Sequence, residues 1–310
     1  MNPGSPPRNP GEAWTPKSLL DWSARFFSEK KIPSPRLDAE LLLSHVLDCK
    51  RIDLYLQFDR PLHEAELAAY RELVRGRARR IPVAYLTGWV GFRDLTLAIG
   101  EGCLVPRPET ETLVDVCLEA IALLRAQRAS PAPLVLAEVG TGSGAIPLAV
   151  CAEAEGLRWV SCDLSGAALA LAKKNLAALR HLLAPRGNAV YLVRARGGGA
   201  FRSDFHPEFV VSNPPYIPTG QLDGLEPEVS RAEPRLALDG GPDGMEPQRE
   251  LMAYAAAALR PGGRLVFEFG AGQAEALRGL LQAHPALELV EIRDDLAGRE
   301  RVFHARRREG

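Results

Sequence analysis

The chain has 310 residues, with 46% hydrophobic and 25% charged residues, which is the composition of a globular protein with a sizeable core. Its formal net charge is −1, so no strong overall field draws it to nucleic acid or to an anionic membrane. These values exclude a disordered chain and argue against a direct nucleic-acid substrate.

Cysteine and histidine usage indicates the compartment and the absence of metal chemistry. The five cysteines form no CxxC pair, a pattern typical of reduced thiols in the cytosol, and the six histidines show no HExxH spacing, so no metal is predicted. Residues 1–14 are rich in Pro and Gly and lack the apolar region of a signal peptide, which predicts a flexible leader. No apolar run approaches a membrane span. We therefore expect a soluble, cytoplasmic protein.

Residues 15–88 are predicted to form a small helical domain. Apolar side chains recur at helical spacing from Leu19 to Phe27. Ser34 followed by Pro35 is a typical helix start, and a third helix is predicted over 62–79. No strand alternation interrupts this pattern.

Residues 89–112 are predicted to form a linker with a β-hairpin, because short apolar alternation is followed by the rigid Pro106-Arg107-Pro108. In residues 113–310, strand patterns alternate with helix patterns. Strands are predicted at 134–139, 159–163, 189–193, 209–212 and 264–269, helices at 145–154, 167–183 and 251–259, and a closing hairpin at 287–292 and 302–305. This alternation predicts an α/β fold with a mainly parallel sheet, in which ligands bind beyond the carboxyl ends of the strands.

A glycine-rich turn follows the first strand of this α/β region. Gly140, Gly142 and Gly144 allow a tight turn and let a ligand approach the backbone. Such a turn serves a dinucleotide, a nucleoside or only packing. Asp163 lies 23 residues after Gly140, at the end of the second strand, a distance that suits hydrogen bonds to ribose hydroxyls. The alternative role for Asp163 is to cap the following helix.

Glu138 stands immediately before the turn and narrows the choice of ligand. A carboxylate there would repel a pyrophosphate and attract a cationic amino-acid moiety with its sulfonium neighbour. S-adenosylmethionine is therefore favoured over NAD.

The stretch Asn213-Pro214-Pro215-Tyr216 follows the fourth strand and forms a stiff corner, because proline fixes φ and donates no backbone hydrogen bond. The side-chain carbonyl of Asn213 and the backbone carbonyl of Pro214 can each accept one N–H of an amide or aryl-amine NH₂ group. Two acceptors fix the plane of that group and stabilise the charge that grows on nitrogen during methyl transfer. Tyr216 offers a ring face to a planar group. The alternative is a strand terminator with a turn asparagine.

Several stretches together resemble a known family. EVGTGSGAI, SCDLS and VVSNPPYI resemble class I S-adenosylmethionine-dependent methyltransferases that methylate amino groups. RLDAELLLSHVL, IPVAYLTG, LVPRPETETLV, EPRLALDGGPDG and DDLAGRERV are similar to the PrmC/HemK family, the glutamine-N5 methyltransferases of peptide chain release factors.

The resemblance implies a Rossmann-like catalytic domain, a hairpin linker and a helical N-terminal domain that grips the release factor. The implied substrate is the glutamine of the release factor's Gly-Gly-Gln motif, and the enzyme is expected to act as a monomer. The residues implied to bind the cofactor are Gly140, Thr141, Gly142, Ser143, Gly144, Asp163 and Asn213. Those implied to hold the glutamine are Asn213, Pro214, Pro215 and Tyr216, with Asn213, Pro214 and Tyr216 serving catalysis. The stretch Pro106–Glu111 is implied to support the site.

One segment departs from the family pattern. After the third strand the family usually has an acidic residue and an aromatic or leucine against the adenine, whereas 193–205 carries arginines and three glycines. Phe201 is the candidate substitute, and Trp89 and Phe92 are expected to pack the hairpin.

Two other functions remain open. Adenine N6 in DNA or RNA presents a similar NH₂ group, but such an enzyme must flip its base and usually carries a basic reading domain. A non-catalytic protein with this fold that docks on release factors is the second, although a binding module has no need of two aimed carbonyls.

Overall fold

The computed structural model describes residues 13–128, 130–197, 201 and 204–309. The chain divides into two compact units, one of Met1–Gly88 with Glu226–Ala232 and one of Trp89–Leu225 with Glu233–Gly310. Most of the predicted leader, residues 1–12, lies outside the described residues. The predicted domain boundaries at 14, 88 and 112 stay predictions, and the inclusion of Glu226–Ala232 in the helical unit was not predicted.

The secondary structure of the described residues is as follows. The helices are α1 (Pro16–Glu29), α2 (Pro35–Val46), α3 (Asp53–Leu56), α4 (Glu64–Ala78), α5 (Val83–Thr87), α6 (Thr110–Gln127), α7 (Ala145–Glu153), α8 (Gly166–Leu183), α9 (Pro227–Ser230), α10 (Glu246–Ala258) and α11 (Ala274–Gln282). The strands are β1 (Trp89–Phe92), β2 (Leu95–Ala98), β3 (Leu134–Val139), β4 (Leu157–Asp163), β5 (Ala189–Arg194), β6 (Phe209–Ser212), β7 (Arg264–Glu268), β8 (Leu287–Asp294) and β9 (Glu300–Arg307).

The first unit is helical, as its apolar spacing predicts. The Thr15 hydroxyl caps α1 by accepting the Ser18 backbone N–H at 3.3 Å, and Pro16 occupies the first turn, where no backbone N–H is needed. Helices α1 and α2 then bury large side chains such as Leu20, Phe27 and Leu43 in one core. Burial of a leucine or phenylalanine contributes about 1.5–3 kcal/mol, which stabilises helices too short to persist alone.

An ion network ties the segment Glu226–Ala232 into this first unit. Arg77 Nε donates to Asp38 Oδ2 at 2.7 Å and Arg77 Nη2 donates to Glu228 Oε1 at 2.6 Å. Arg80 contacts the other oxygen of Glu228 at 2.8 Å. Burial raises the pKa of Asp38, and the Arg77 guanidinium opposes that rise. Loss of one partner would leave a buried charge unpaired, which typically costs about 3–5 kcal/mol.

The second unit contains a hairpin and a seven-stranded sheet. Strands β1 and β2 pair antiparallel, which confirms the predicted hairpin. The sheet has the strand order β5-β4-β3-β6-β7-β9-β8, with β9 antiparallel to both of its neighbours and the other pairs parallel. Every residue of β6 and β7 is buried, because helices cover both faces of the sheet.

The register of the central strands brings three predicted site segments to one edge. Val139 pairs with Cys162 of β4 on one side and with Ser212 of β6 on the other. The next residues along the three parallel strands are Gly140, Asp163 and Asn213. They therefore leave the sheet side by side at its carboxyl edge, where α/β sheets bind ligands.

The predicted strands 134–139 and 209–212 are confirmed with those bounds, whereas other elements differ at their ends: β7 and α7 each stop one residue earlier than predicted, and some others are longer. Helix α10 begins at Glu246 instead of 251, since Pro247 is tolerated in a first turn. The closing hairpin extends to Asp294 and Arg307. Within the described ranges, no helix combines the length and apolarity needed to cross a membrane.

Candidate active site

A cavity of about 470 Å³ lies at the carboxyl edge of the sheet in the second unit. This volume is within the usual range for small-molecule and cofactor sites. The predicted site residues that line it are Gly140, Thr141, Gly142, Ser143, Asp163, Asn213, Pro214 and Pro215. Gly144 and Tyr216 do not line it, and their predicted roles stay predictions.

The glycine turn is shaped by its backbone. Gly140, Gly142 and Gly144 have φ values of +76°, +56° and +81°, in the left-handed region that favours glycine. A Cβ on Gly140 would lie 3.9 Å from the backbone oxygen of Asn213, so the turn and the Asn-Pro-Pro-Tyr corner approach each other closely. A Cβ on Gly144 would lie 3.2 Å from Leu148 Cδ1, so a side chain there would crowd the first turn of α7.

Asn175 of α8 holds the glycine turn through a hydrogen bond to its backbone. This residue was not identified from the sequence. It is 2% exposed, and its Nδ2 donates to the Ser143 backbone oxygen at 2.9 Å and to that of Ala98 at 3.0 Å. Its Oδ1 accepts the Ala98 N–H at 2.7 Å. A single amide therefore joins the glycine turn to the end of β2.

Asp163 connects its strand to the same turn. Its Oδ2 accepts the backbone N–H of Gly142 at 2.8 Å and its Oδ1 accepts that of Ser165 at 2.8 Å. The N-cap of α8 is Ser165, whose hydroxyl accepts the Ala168 N–H, so the alternative role of Asp163 as that N-cap is wrong. The carboxylate also lines the cavity.

Glu138 is placed differently from the sequence interpretation. It is 0% exposed and is not among the residues that line the cavity, so it does not face a ligand there. Burial raises its pKa to about 7, and the nearby hydroxyls of Thr141 and Ser161 act in the opposite direction. Glu138 is therefore a buried carboxyl group next to the turn, and its ionisation in the interior is unfavourable.

The corner after β6 is held by a relay of side chains. Asn213 Nδ2 donates to Thr110 Oγ1 at 3.0 Å, and Thr110 Oγ1 donates to Glu268 Oε2 at 2.7 Å. The Tyr216 hydroxyl donates to Glu268 Oε1 at 3.2 Å. Thr110 begins α6 and Glu268 ends β7, so elements far apart in sequence meet at the corner.

The aromatic ring of Tyr216 lies against Gly270, where a Cβ would come within 3.1 Å of Tyr216 Cδ2. The backbone oxygen of Tyr216 accepts from Gln273 Nε2 at 2.9 Å. Burial raises the pKa of the Tyr216 hydroxyl, which stays protonated and donates to Glu268. These contacts orient the ring without placing it in the cavity lining.

The segment that departs from the family pattern contributes Ala195, Arg196 and Gly197 to the cavity. Phe201 is not among the lining residues, because its ring packs against Phe205 and Tyr254 with centroid distances of 5.3 and 5.6 Å. Residues 198–200, 202 and 203 lie outside the described residues. Among the residues described, Leu164 is an apolar side chain that lines the cavity directly after Asp163.

The Pro106–Glu111 stretch forms another wall. Arg107 Nη2 pairs with Glu233 Oε2 at 2.5 Å, and Glu233 Oε1 accepts the Val105 N–H at 3.3 Å. Burial raises the pKa of Glu233, while the Arg107 guanidinium lowers it. The neighbours of these residues, Pro106 and Pro234, line the cavity. The supporting role of this stretch stays a prediction.

The lining fits an adenosylated amino acid. The open glycine turn leaves room at Gly140, where a side chain would approach the corner, and the Asp163 carboxylate is an acceptor for hydroxyl groups. Ile146, Leu164 and Leu236 supply apolar surface of the kind that receives a base. Such a cofactor would be held by the turn, Asp163 and these apolar side chains.

A seven-stranded sheet in this order, with an antiparallel β9 between β7 and β8 and a glycine turn after its first strand, defines a class I methyltransferase fold. Residues 18–88 match the family model described as PrmC N-terminal domain. A release factor glutamine methyltransferase of Geobacter sulfurreducens is 39% identical over 87% of this chain and 89% of its own length. The chain belongs to the family of release factor glutamine methyltransferases.

Two further relatives of the same name cover nearly the whole chain. The protein of Rhodopirellula baltica is 38% identical over 94% of this chain and 95% of its own length. That of Moorella thermoacetica is 36% identical over 95% of this chain and 99% of its own. Among solved structures, a ribosomal protein L11 methylase of Lactobacillus delbrueckii is 17% identical over 66% of this chain and 81% of its own, with a TM-score of 0.43.

Proposed function

We propose that this enzyme transfers the methyl group of S-adenosylmethionine to the side-chain amide nitrogen of the glutamine in the Gly-Gly-Gln motif of release factors. The observation that carries the proposal is the meeting of two parts at one cavity. The Asn213-Pro214 corner lines the same cavity as the glycine turn and Asp163. The names of its relatives, which cover most of both chains, support the same reaction.

The chemical difficulty is that a carboxamide nitrogen is a poor nucleophile, because its lone pair is delocalised into the carbonyl. Asn213 Oδ1 and the Pro214 backbone oxygen are proposed to accept one N–H each. Two such acceptors hold the NH₂ group in one plane and stabilise the positive charge that develops on nitrogen. The bound cofactor supplies the methyl group on a positively charged sulfur.

The corner provides this geometry before the substrate arrives. Pro214 is buried and Pro215 half-buried, and neither has a backbone N–H that would compete for the acceptors. Alignment of this kind is the source of up to ~7–11 kcal/mol of barrier lowering in intramolecular reactions. The nitrogen–methyl bond would form as the sulfur–methyl bond breaks with its electron pair left on sulfur, and the nitrogen would release one proton to water.

Tyr216 is proposed to set the outer boundary for the glutamine side chain. Its hydroxyl is held by Glu268, so the ring is fixed by both ends of the residue. A fixed aromatic face lets a planar carboxamide lie flat beside it with little loss of side-chain entropy.

At the other end of the cavity, Gly140–Gly144 and Asp163 are proposed to bind the cofactor. The turn offers backbone groups at close range, and the Asp163 carboxylate accepts ribose hydroxyls while keeping its bond to Gly142 N. A monomeric state, a cytoplasmic location and the grip of the helical unit on the release factor remain predictions from the sequence.

The test is methyl transfer with purified components. The full chain is incubated with labelled S-adenosylmethionine and a recombinant release factor, and the peptide that contains Gly-Gly-Gln is analysed by mass spectrometry. A release factor with that glutamine replaced by alanine is the matched control. Label on the wild-type factor alone is the expected result, and label on duplex DNA in place of the factor would reject the proposal. Calorimetry with S-adenosylmethionine separates an enzyme from a protein that only docks.

A further inference from the structure

We infer that Thr110 and Glu268 are positioning residues that decide which face of the Asn213 amide is presented to the substrate. This inference rests on the proposed function and deepens it. It concerns whether the Asn213 side chain turns its oxygen or its nitrogen toward the NH₂ group of the substrate.

The observation is a continuous relay of hydrogen bonds into the protein. Asn213 Nδ2 donates to Thr110 Oγ1 at 3.0 Å, and Thr110 Oγ1 donates to Glu268 Oε2 at 2.7 Å. Thr110, which also lines the cavity, is 3% exposed, and Glu268 is 1% exposed, so both partners are largely shielded from bulk water. A half-satisfied network in such surroundings is costly, which makes the relay hold its geometry.

The direction of the relay follows from the chemistry of its innermost member. An ionised carboxylate has no hydrogen and only accepts, so it requires the single hydroxyl hydrogen of Thr110. The Thr110 oxygen then has only lone pairs left for Asn213 and must receive a donor. The Asn213 amide therefore turns its NH₂ toward Thr110 and its Oδ1 toward the opposite side.

This orientation is the one that the reaction needs. A substrate carboxamide presents two N–H donors, and a reversed Asn213 amide would face them with donors of its own. In the reversed state the corner would keep one acceptor, the Pro214 carbonyl, and would repel the group it has to hold. The relay thus converts a chemically symmetric-looking side chain into a fixed acceptor.

The contacts of Glu268 are those of an acceptor at both oxygens. The pKa of Glu268 is raised, chiefly by burial, while the Thr110 hydroxyl, the charge of Arg301 and the Tyr216 hydroxyl act in the opposite direction. Both carboxylate oxygens are occupied, one by Thr110 and the other by Tyr216 at 3.2 Å. Glu268 therefore anchors Asn213 and Tyr216 at once, on the two sides of the corner.

The experiment compares Thr110→Val with Thr110→Ser in the full chain, with a release factor as substrate. Valine keeps the volume and removes the hydroxyl, whereas serine keeps the hydroxyl and removes the methyl group. Thr110→Val should lower kcat by about 10–100-fold, since it weakens a preorganised polar contact without deleting it. The KM for the release factor and the affinity for S-adenosylmethionine should change by less than about 3-fold, because the relay acts on transition-state stabilisation. Thr110→Ser should stay within about 3-fold of wild type in kcat.

A second measurement separates positioning from a general structural role. In an Asn213→Ala background the same Thr110→Val change should have no further effect on kcat, because the hydroxyl acts only through Asn213. Glu268→Gln replaces a group that only accepts with an amide that can also donate, so the direction of the relay is no longer fixed and kcat should fall, by less than in Thr110→Val. Thermal unfolding of each variant checks that the fold is retained, and Thr110→Ser and Glu268→Gln keep the test decisive should the valine variant fold poorly.

The outcomes are distinguishable. Unchanged kcat in Thr110→Val, equal losses in Thr110→Val and Thr110→Ser, or a full additional loss in the Asn213→Ala background would each overturn the inference while leaving the proposed function intact. A wild-type enzyme that leaves the release factor unmethylated would reject the proposed function, and the inference with it.

Discussion

At one end of the cavity the backbone shapes the wall, whereas at the other end side chains from three distant elements do. The glycine turn and Asp163 lie within one strand–helix–strand unit, and the Asp163 carboxylate is bonded to the backbone N–H of Gly142. The corner depends on Asn213, Thr110 and Glu268, which stand 103 and 158 residues apart in successive pairs. The first end is local in sequence, and the second is assembled by the tertiary fold.

The two ends of the cavity should therefore be impaired by different kinds of substitution. A backbone-shaped wall is sensitive to any side chain placed at a positive φ and insensitive to most remote substitutions. A relay of side chains loses its function when any one member is removed, even far from the chemistry. Affinity for the cofactor and rate of transfer should therefore respond to separate sets of substitutions.

The largest effect is expected at the corner. Asn213→Ala should lower the rate of methyl transfer by about 10²–10³-fold, because it removes one preorganised acceptor. Cofactor affinity, measured by calorimetry, should stay near that of wild type. Gln221→Ala, an exposed change that follows the corner in sequence, is the control and should be neutral. A parallel loss of cofactor affinity in Asn213→Ala would erase the distinction between the two ends.

The buried carboxyl group beneath the glycine turn should produce a pH-dependent difference in stability. Because burial raises the pKa of Glu138 from 4.5 to about 7, the folded state binds this proton more tightly than the unfolded state. The contribution of Glu138 to stability is therefore complete below about pH 4.5 and is lost as the pH rises toward 7.

Glu138→Gln removes this titration at nearly constant shape. Without cofactor, the variant should exceed wild type in free energy of unfolding by under about 1 kcal/mol near pH 5 and by about 3 kcal/mol near pH 8. Urea unfolding at both values measures the gap. Only the difference between the two proteins is compared, since His304, whose pKa is lowered by burial, also titrates in this range. A constant gap would show that Glu138 ionises as freely as in the unfolded chain.

A smaller effect, confined to the cofactor, is expected at the end of β4. Asp163→Ala should weaken cofactor binding by about 1–3 kcal/mol, the usual loss for a charge-assisted hydrogen bond. Its kcat at saturating cofactor should remain within a few-fold of wild type. Asp223→Ala removes an exposed carboxylate from the same unit and serves as the charge-matched control. A lower kcat with unchanged affinity would mean that Asp163 belongs to the transfer step instead.

The smallest effect compares two glycines with similar backbones. Gly140 and Gly187 have φ values of +76° and +68°, and a Cβ on Gly187 would meet open space. Each Gly→Ala change should cost about 1–2 kcal/mol of stability through left-handed strain. Only Gly140→Ala should also raise the dissociation constant of the cofactor. Calorimetry at a temperature where both variants are folded measures this constant. Equal affinities in the two variants would show that the turn is a packing feature.

Much of the fold was readable from the sequence because its signals are local. Strand β3 is a continuous apolar run that ends at a glycine turn, and β6 is a buried run that ends at two prolines, so both were predicted with their observed bounds. Helix α10 was predicted to begin too late, because the polar residues of its first turn hide the helical apolar spacing. Charged side chains on the outer halves of β8 and β9 hid the length of the closing hairpin in the same way.

Only part of the site could be predicted from the sequence, because only part of it has a local sequence signal. The glycine turn, Asp163 and the corner carry residue types whose spacing is informative. Glu268 is the last residue of a buried strand and Asn175 lies within a helix, so nothing in their neighbours distinguishes them from surface residues. Glu138 was assigned to the ligand from its position beside the turn, but strand alternation points its side chain into the core. Contacts over more than a hundred residues become visible only when the chain is folded.

The helical unit is not one continuous stretch of the chain, because it includes Glu226–Ala232. The polypeptide leaves the sheet unit after Leu225 and returns to it at Glu233. Between these points Glu228 forms ion pairs with Arg77 of α4 and with Arg80 in the turn that follows α4. A shortened protein that starts at Trp89 would retain this seven-residue excursion with its counter-charges removed. A single cut at Gly88 therefore does not separate the two units, because Glu226–Ala232 of the first unit lies within the later part of the chain.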